Sequence, residues 1–160
     1  MSSTLAETAP AILGRFRLIR MLGEGAQATV WLAHDARLER DVAVKLMRSG
    51  AVPADGRDKA DAGPTQWLHE ARSVARLTHP HIVPVFEADV HEGRPYIVFE
   101  YVAGPTLAQL LRGRKAPLPV RDAIAMMIGV LDAVQAAHAA GLVHRDLKPT
   151  NILVTATGRV

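Results

Sequence analysis

Three strand-like runs near the start of the chain constrain the fold more than any other sequence feature. The runs are "RFRLIRMLG", "TVWLAHDA" and "RDVAVKLM", and only a glycine turn and a short polar loop separate them. Parallel neighbours in a sheet need a crossover connection of about a dozen residues or more, whereas antiparallel neighbours need only a short turn. The first part of the chain is therefore predicted to fold as an antiparallel meander.

The following segments extend this sheet and add one helix. Residues 48–65 contain Gly, Pro and Asp without a periodic apolar face, which predicts a loop. The stretch "QWLHEARSVARL" then has apolar residues at helical spacing, and Pro80 limits its extent. "IVPVFEADV" and "RPYIVFEYV" predict two more strands around the turn "HEGR". We expect five strands with one helix inserted after the third.

The last third of the chain has a helical pattern. Thr106 is predicted to cap a short helix, "LAQLLR". A longer helix is predicted over about 122–140, with Gly141 as its left-handed cap. Because its apolar residues are spread over more than one face, this helix is expected to have neighbours on several sides. One apolar stripe along it comprises Ile124, Ile128, Leu131, Val134 or Gln135, and His138.

Composition limits the class of protein. A chain of 160 residues is long enough for one domain with a buried core. Its hydrophobic and charged contents, 49% and 22%, are typical of globular proteins. The absence of cysteine excludes a disulfide framework and thiolate chemistry, and it is typical of a reducing cytosol. The net charge of +3 comes from scattered Lys and Arg residues, so we expect a solvated surface and no nucleic-acid partner.

Neither the N-terminus nor the most apolar run has the pattern of a targeting or membrane segment. The N-terminal "MSSTLAETAP" lacks the basic start and the long apolar core of a signal peptide. The run Ala123–Leu131 is broken by Asp132 and is too short to cross a bilayer. We expect a cytoplasmic protein with no membrane segment in this chain.

Three features of the first half have both a functional and a plain structural interpretation. Gly23 and Gly25 in "LGEGAQATV" let the backbone approach phosphate oxygens, although a simple turn uses glycine equally well. Lys45 ends the apolar strand "VAVK", where it either meets an anion or extends its ammonium group into solvent. Glu70 lies on the predicted inserted helix and either pairs with Lys45 or is solvated.

The most specific motif is the charged loop "HRDLKPTN" between two apolar stretches. Asp146 can accept a hydroxyl proton, and Lys148 can neutralise charge on a transferring phosphoryl group. Asn151 offers an oxygen to a hard metal ion such as Mg²⁺. Eight specified residues in this order are a poor match to an ordinary surface loop, so the motif predicts phosphoryl transfer.

Together these motifs resemble the eukaryotic-type (Hanks-type) serine/threonine protein kinases, and their sequences are similar to those of bacterial signalling members. The resemblance covers Phe16 to Val160 and includes the glycine-rich loop, "VAVK", the helix glutamate, the "FEYV" hinge and "HRDLKPTN" in the family's order. It implies an α+β, protein-kinase-like fold with a complete five-stranded small lobe, one helix and the first part of the helical large lobe. The implied boundaries are a flexible leader at 1–12, the small lobe at 13–98, and the hinge and partial large lobe at 99–160.

The resemblance also implies a role for each site residue, with ATP and Mg²⁺ as cofactors. The glycine-rich loop covers the ATP phosphates through Gly23, Gly25 and Ala28. Lys45 holds the α- and β-phosphates and is oriented by Glu70. The residues implied around the adenine ring are Leu22, Val30, Ala43 and Leu153, with the backbone of Glu100 and Val102 at its edge and Phe99 as the gatekeeper. The implied catalytic residues are Asp146 as base, Lys148 at the phosphoryl group and Asn151 as metal ligand.

Several departures from the family pattern qualify these roles. Ala28 replaces the third glycine, and Gln27 replaces the usual aromatic residue at the loop tip. No "DFG" segment, which supplies the family's principal Mg²⁺ ligand, occurs in the 160 residues. A chain truncated before that motif is therefore expected to have little or no kinase activity in isolation. We also expect exposed apolar surface on the long helix, and hence poor solubility or dependence on a second polypeptide.

Three functions from different classes follow from these motifs. The first is the N-terminal part of a protein kinase that phosphorylates Ser or Thr hydroxyls of a protein substrate with MgATP. The second is a non-catalytic nucleotide-binding or pseudokinase-like regulatory module. The third is a small-molecule phosphotransferase, which shares an Asp and an Asn at this spacing but is disfavoured by "HRD" in combination with Lys148.

Overall fold

A computed structural model describes residues 12–48, 71–72 and 74–160. Within these residues, six strands form one antiparallel sheet in the order β1-β2-β3-β4-β6-β5. The strands are β1 Ile12–Leu13, β2 Phe16–Glu24, β3 Ala28–Asp35, β4 Arg40–Met47, β5 Val85–His91 and β6 Arg94–Glu100. They are followed by helix α1 Leu107–Arg112, helix α2 Val120–Ala139 and a 3₁₀ turn, Pro149–Asn151. The five predicted strands and both later helices are therefore confirmed.

The inserted helix and the loop before it are described only in part. Residues 71–72 and 74–75 are helical, which agrees with the predicted inserted helix. Glu70 and almost all of the predicted loop at 48–65 lie outside the described residues. The predicted pairing of Glu70 with Lys45 therefore stays a prediction.

One strand of the sheet was not predicted from the sequence. In β1, Ile12 pairs with Arg17 and Leu13 pairs with Phe16. The turn between β1 and β2 uses Gly14 at φ 57°, a conformation that favours glycine. Because a run of two residues carries no detectable period, sequence pattern cannot find it. The boundary that the sequence predicted at residue 12 falls inside this strand.

Alternation along the strands separates a core face from a second face. In β4, Val42, Val44 and Leu46 are buried, whereas Ala43 and Lys45 between them are only partly buried. Successive side chains of a strand point to opposite faces, so Ala43 and Lys45 lie on the face away from this core. The core side chains are Leu13, Phe16, Ala33, Val42, Val44, Leu46, Tyr96 and Val98.

A polar cluster connects the turn at one edge of the sheet to β3, to β6 and to the strand at the opposite edge, β5. Arg15 Nε donates to both carboxylate oxygens of Asp35 at 3.2 Å, and Arg15 Nη2 donates to Glu87 Oε2 at 2.6 Å. The Tyr96 hydroxyl donates to Glu87 Oε1 at 2.8 Å. The cluster thus joins the β1–β2 turn to β3, β5 and β6. Sequence pattern does not reveal it, because its members are 9 to 72 residues apart in the chain.

Helix α2 packs through a different face from the stripe predicted for it. Its buried residues are Met126, Gly129 and Val130. Ile124 and Ile128 of the predicted stripe are exposed. The helix is apolar on more than one face, so periodicity could not tell which face packs against the rest of the chain. The exposed face is lined by Leu118, Val120, Ala123, Ile124, Met127, Ile128 and Leu131.

A helix that crosses a membrane must be both long and apolar. Among residues 12–48, 71–72 and 74–160, none of the helices is both long enough and apolar enough to cross a membrane.

Candidate functional site

Strand register brings several predicted site residues onto one face of the sheet. Val30 lies opposite Lys45, and Lys45 lies opposite Ile97 on β6. Residues directly opposite each other in an antiparallel pair share a face. Ala43 and Phe99 are also opposite each other, and each lies two residues along its strand from Lys45 or Ile97, so they are on this face too. We call Val30, Ala43, Lys45, Ile97 and Phe99 the site face.

The glycine-rich turn closes one end of the site face. Gly23 on β2 pairs with Val30 on β3, and the Gly25 N–H donates to the Ala28 carbonyl at 2.9 Å. The register of β2 against β3 shifts between Met21 and Gly23, which places Leu22 in a bulge. A bulge re-aims the side chains beside it. Because Val30 is opposite both Gly23 and Lys45, the turn lies beside the end of the strands that carry Val30 and Lys45.

Neither glycine of this turn is required by the packing of the described residues. A Cβ at Gly23 would meet nothing within 4 Å, and one at Gly25 would meet only the Ala28 carbonyl oxygen at an ordinary 3.7 Å. Neither residue has the positive φ that favours glycine. The protein's own geometry therefore leaves open space over both positions.

The charged loop contains a strained turn next to Asp146. The Asp146 N–H donates to the His144 carbonyl at 2.8 Å, which makes a γ-turn centred on Arg145. Arg145 has φ 60°, an uncommon value for a residue with a side chain. The same N–H also approaches His144 Nδ1 at 3.3 Å. Strain of this kind often accompanies functional sites.

The Asp146 carboxylate is contacted on both oxygens by other residues of the loop. Lys148 Nζ lies 3.0 Å from Oδ1, and Asn151 Nδ2 donates to Oδ2 at 3.0 Å and to the Asp146 carbonyl at 2.8 Å. The 3₁₀ turn Pro149–Asn151 brings Asn151 back over Asp146. All three side chains are exposed, so their ion pair and hydrogen bonds orient the groups more than they stabilise the fold.

These contacts also fix the charge of Asp146. The hydrogen bonds from Lys148 and then from Asn151 lower the pKa of Asp146 below its usual value, and the positive charge of Lys148 adds to the effect. The carboxylate is therefore ionised at neutral pH, as an acceptor of hydroxyl protons must be.

A short backbone ladder connects the segment after β6 to the segment after the charged loop. Thr106 pairs with Leu153, the Leu107 N–H donates to the Ile152 carbonyl at 2.7 Å, and the Val154 N–H donates to the Pro105 carbonyl at 2.9 Å. We call this the hinge ladder. Leu153 is therefore paired with Thr106, which follows Val102 of the predicted hinge by four residues and Glu100 by six.

The residues predicted to bind magnesium fit that ion in part. Mg²⁺ usually takes one or two carboxylates together with phosphate oxygens. Asn151 uses its amide nitrogen for Asp146, which leaves Oδ1 as its atom for a metal. Among the described residues, no group of three or more His, Cys, Asp or Glu could hold a metal ion. A magnesium ion bound here would take a ligand from Asn151 together with phosphate oxygens and water.

Comparisons with known proteins agree with this geometry. The family described as the protein kinase domain matches residues 16–160. A probable serine/threonine-protein kinase of Streptomyces coelicolor is 42% identical over 92% of this chain. PknB of Mycobacterium leprae and PrkC of Bacillus subtilis, both serine/threonine-protein kinases, are 39% and 35% identical over 96% and 93% of the chain. The chain spans 21% to 24% of the length of these relatives.

Solved structures support the same fold. The PknI kinase domain of Mycobacterium tuberculosis superimposes with a TM-score of 0.76 at 32% identity, and the match covers 91% of this chain and 57% of that one. The predicted α+β, protein-kinase-like fold is confirmed by this likeness. The chain therefore belongs to the protein kinase domain family, as a bacterial-type member related to the Hanks-type serine/threonine kinases.

Proposed function

We propose that this chain forms the nucleotide-binding lobe and catalytic loop of a kinase that transfers the γ-phosphoryl group of MgATP to Ser or Thr hydroxyls of a protein. The observation that carries the proposal is the constellation at Asp146, whose ionised carboxylate is held between Lys148 and Asn151 in an exposed loop. An exposed base held by neighbouring polar groups is accessible to a hydroxyl group of another protein.

The site face and the glycine-rich turn supply the nucleotide site. Lys45 reaches the α- and β-phosphates from the same face as Val30 and Ala43, which pack on the adenine ring. Open space over Gly23 and Gly25 allows backbone N–H groups to approach the phosphates. A glycine that the fold does not itself require is well explained by the close approach of a ligand.

The remaining nucleotide contacts come from the hinge and from Leu153. The Glu100 N–H already donates to the Pro84 carbonyl at 3.0 Å, so Glu100 offers its carbonyl oxygen to the adenine amino group. Val102 supplies the neighbouring backbone contact at the ring edge. Leu153 packs on the opposite side of the ring from Ala43. Glu70 orients Lys45 in this proposal, as family resemblance implies.

Transfer of the phosphoryl group requires three acts from the charged loop. Asp146 accepts the proton of the attacking hydroxyl group. The oxygen of that hydroxyl group bonds to the γ-phosphorus, while the bond between the γ-phosphorus and the oxygen bridging to the β-phosphate breaks. Lys148, whose Nζ lies 3.0 Å from Asp146 Oδ1 in this structure, neutralises charge on the phosphoryl oxygens. Asn151 would be the residue of this loop that holds Mg²⁺, and the ion would supply electrostatic stabilisation of the phosphates when bound.

Location and partners follow from the same proposal. MgATP and a protein carrying the acceptor hydroxyl are the ligands, and both are available in the cytoplasm. A second polypeptide or further chain covers the exposed apolar face of α2. The alternative function, nucleotide binding without turnover, uses the same site face. It is favoured by Ala28 and Gln27, which replace a glycine and an aromatic residue of the phosphate-binding loop.

Phosphate incorporation from radiolabelled ATP into a generic basic protein tests the proposal. We expect the 160-residue chain to transfer little phosphate, because the family's DFG aspartate is not among its residues. Robust incorporation that disappears in Asp146→Asn would support the kinase function and contradict low activity. Incorporation that persists in Asp146→Asn would contradict the role of Asp146.

A further inference from the structure

Gly104 approaches the segment after the charged loop more closely than any side chain would permit. A Cβ built on Gly104 would lie 2.1 Å from the Val154 carbonyl oxygen and 3.1 Å from its carbonyl carbon. Neither of these is an atom of a flexible side chain, so the two backbones would have to separate. The φ of Gly104 is outside the left-handed region, and close approach is therefore the reason for glycine here.

The Val154 side of this contact cannot move away at low cost. The Val154 side chain is 2% exposed and packs against Leu107 and Met126 in a buried cluster. Its N–H donates to the Pro105 carbonyl at 2.9 Å. Retreat of Val154 would open a cavity in the cluster and break a hinge-ladder bond.

The Gly104 side is held as well. Two residues later, Thr106 begins α1 with a capping box, in which its side chain accepts from the Gln109 N–H and its own N–H donates to the Gln109 side chain. Four residues earlier, the Glu100 N–H is bonded to the Pro84 carbonyl. A Cβ at position 104 would therefore displace the segment between these two anchors, which contains Val102.

We infer that Gly104 is a positioning residue for the adenine ring. By permitting the hinge ladder, it sets the spacing between the Val102 backbone on one wall of the proposed nucleotide site and Leu153 on another. This inference rests on the proposed function, because it predicts that the affinity for the nucleotide depends on Gly104. It requires no contact between Gly104 and the nucleotide.

The first test compares two glycine-to-alanine variants of the 160-residue chain. Gly104→Ala introduces the clash with Val154, whereas Gly113→Ala places a Cβ 3.5 Å from the Gln109 carbonyl oxygen, an ordinary contact. The dissociation constant of the magnesium complex of AMP-PNP is measured by titration calorimetry, at a temperature where circular dichroism shows each variant to be folded. Because each variant is folded at that temperature, a change in the dissociation constant reports the positioning of the site and not a loss of stability.

We expect Gly104→Ala to raise the dissociation constant by about tenfold, because moving the Val102 backbone weakens its contact with the adenine edge, and tenfold corresponds to a loss of about 1.4 kcal/mol. Gly113→Ala should leave it unchanged. If wild type binds AMP-PNP and Gly104→Ala binds it equally well, the inference is wrong and the proposed function stands. If wild type does not bind the nucleotide, the proposed function is wrong, and the role of Gly104 in nucleotide affinity is wrong with it.

Hydrogen exchange in the wild-type chain tests the coupling even if Gly104→Ala does not fold. The Leu107 and Val154 amides form the two ends of the hinge ladder. If Gly104 lets the two segments act as one unit, these amides open with the same free energy and gain protection together when AMP-PNP is added. Different opening free energies for the two amides would overturn the inference, whatever the variants do.

Discussion

The sheet and the C-terminal region of this chain differ in what they bury. One face of the sheet carries a cluster of eight buried residues, and the opposite face of β4 presents Lys45. From Thr106 onward the buried cluster comprises only Leu107, Met126 and Val154, and α2 leaves Ile128 62% exposed. The groups proposed for catalysis lie on the exposed loop of this second region.

This difference separates the source of stability from the source of the chemistry. Apolar burial is the main favourable contribution to folding, and most of it lies in the sheet. The loop of Asp146 is held by hydrogen bonds and an ion pair that are exposed and contribute little stability. Substitutions in the sheet should therefore change the free energy of unfolding, whereas substitutions in the loop should change function.

The largest expected effect is in the sheet core. Phe16 is 1% exposed, and Phe16→Ala should lower the free energy of unfolding by about 3–5 kcal/mol because it removes a large buried ring. Phe86→Ala is the matched control, since Phe86 is 41% exposed on the same sheet. Urea denaturation measures both. Equal losses in the two variants would contradict a core located on one face of the sheet.

The next effect compares two adjacent methionines on α2. Met126 is 9% exposed and Met127 is 43% exposed. Met126→Ala should cost about 2–5 kcal/mol of unfolding free energy, while Met127→Ala should cost well under that amount. Urea denaturation of both variants decides which face of α2 packs. A larger loss in Met127→Ala would show that the packed face has been assigned wrongly.

A smaller, pH-dependent effect is expected at Asp35. Burial acts to raise the pKa of Asp35, but hydrogen bonds from the Arg37 N–H, the Arg15 guanidinium and the Leu38 N–H together outweigh it and lower the pKa. A carboxyl group whose pKa is lowered on folding contributes stability above its unfolded pKa of about 4, and the contribution is lost as pH falls through the folded pKa. Asp35→Asn should cost about 1–3 kcal/mol at neutral pH, since it weakens hydrogen bonds to a buried charge.

Acid titration of unfolding free energy measures this effect. The wild-type value should fall steeply below about pH 4, and Asp35→Asn should flatten part of that fall. Asp41→Asn is the control, because the Asp41 side chain is 51% exposed. An unchanged acid profile in Asp35→Asn would contradict the lowered pKa.

The smallest effect concerns the start of α1. Thr106 accepts a hydrogen bond from the Gln109 N–H at 3.2 Å and caps the helix. Thr106→Ala should cost about 1 kcal/mol. Thr78→Ala, at an exposed threonine outside the helices, should leave the midpoint of thermal unfolding unchanged. A shift of the midpoint of equal size in both variants would exclude a capping contribution.

Local pattern predicted the fold wherever it was strong. Alternation in "RDVAVKLM" predicted β4 and put Lys45 off the core face, and Thr106 marked the start of α1. It could not find β1, whose two residues have no period. It found more than one apolar face on α2 but could not tell which of them packs, because only tertiary contacts distinguish the buried face from the exposed one.

Sequence pattern likewise predicted only part of the candidate site. The motif "HRDLKPTN" predicted that Asp146, Lys148 and Asn151 act together, and the loop does bring their side chains into contact. The contact of Gly104 with Val154 had no sequence signal, because the two residues are distant in the chain and "AGPT" reads as an ordinary turn. The residue predicted to orient Lys45, Glu70, lies outside the described residues.

Titration calorimetry of the chain with the magnesium complex of AMP-PNP tests the central claim most directly: the sheet binds the nucleotide and the exposed loop supplies the chemistry. Wild type and Asp146→Asn should bind with the same affinity, whereas Lys45→Met should bind about tenfold or more weakly because a charged hydrogen-bond donor to phosphate is lost. No binding by wild type, or equal binding by wild type and Lys45→Met, would contradict the account.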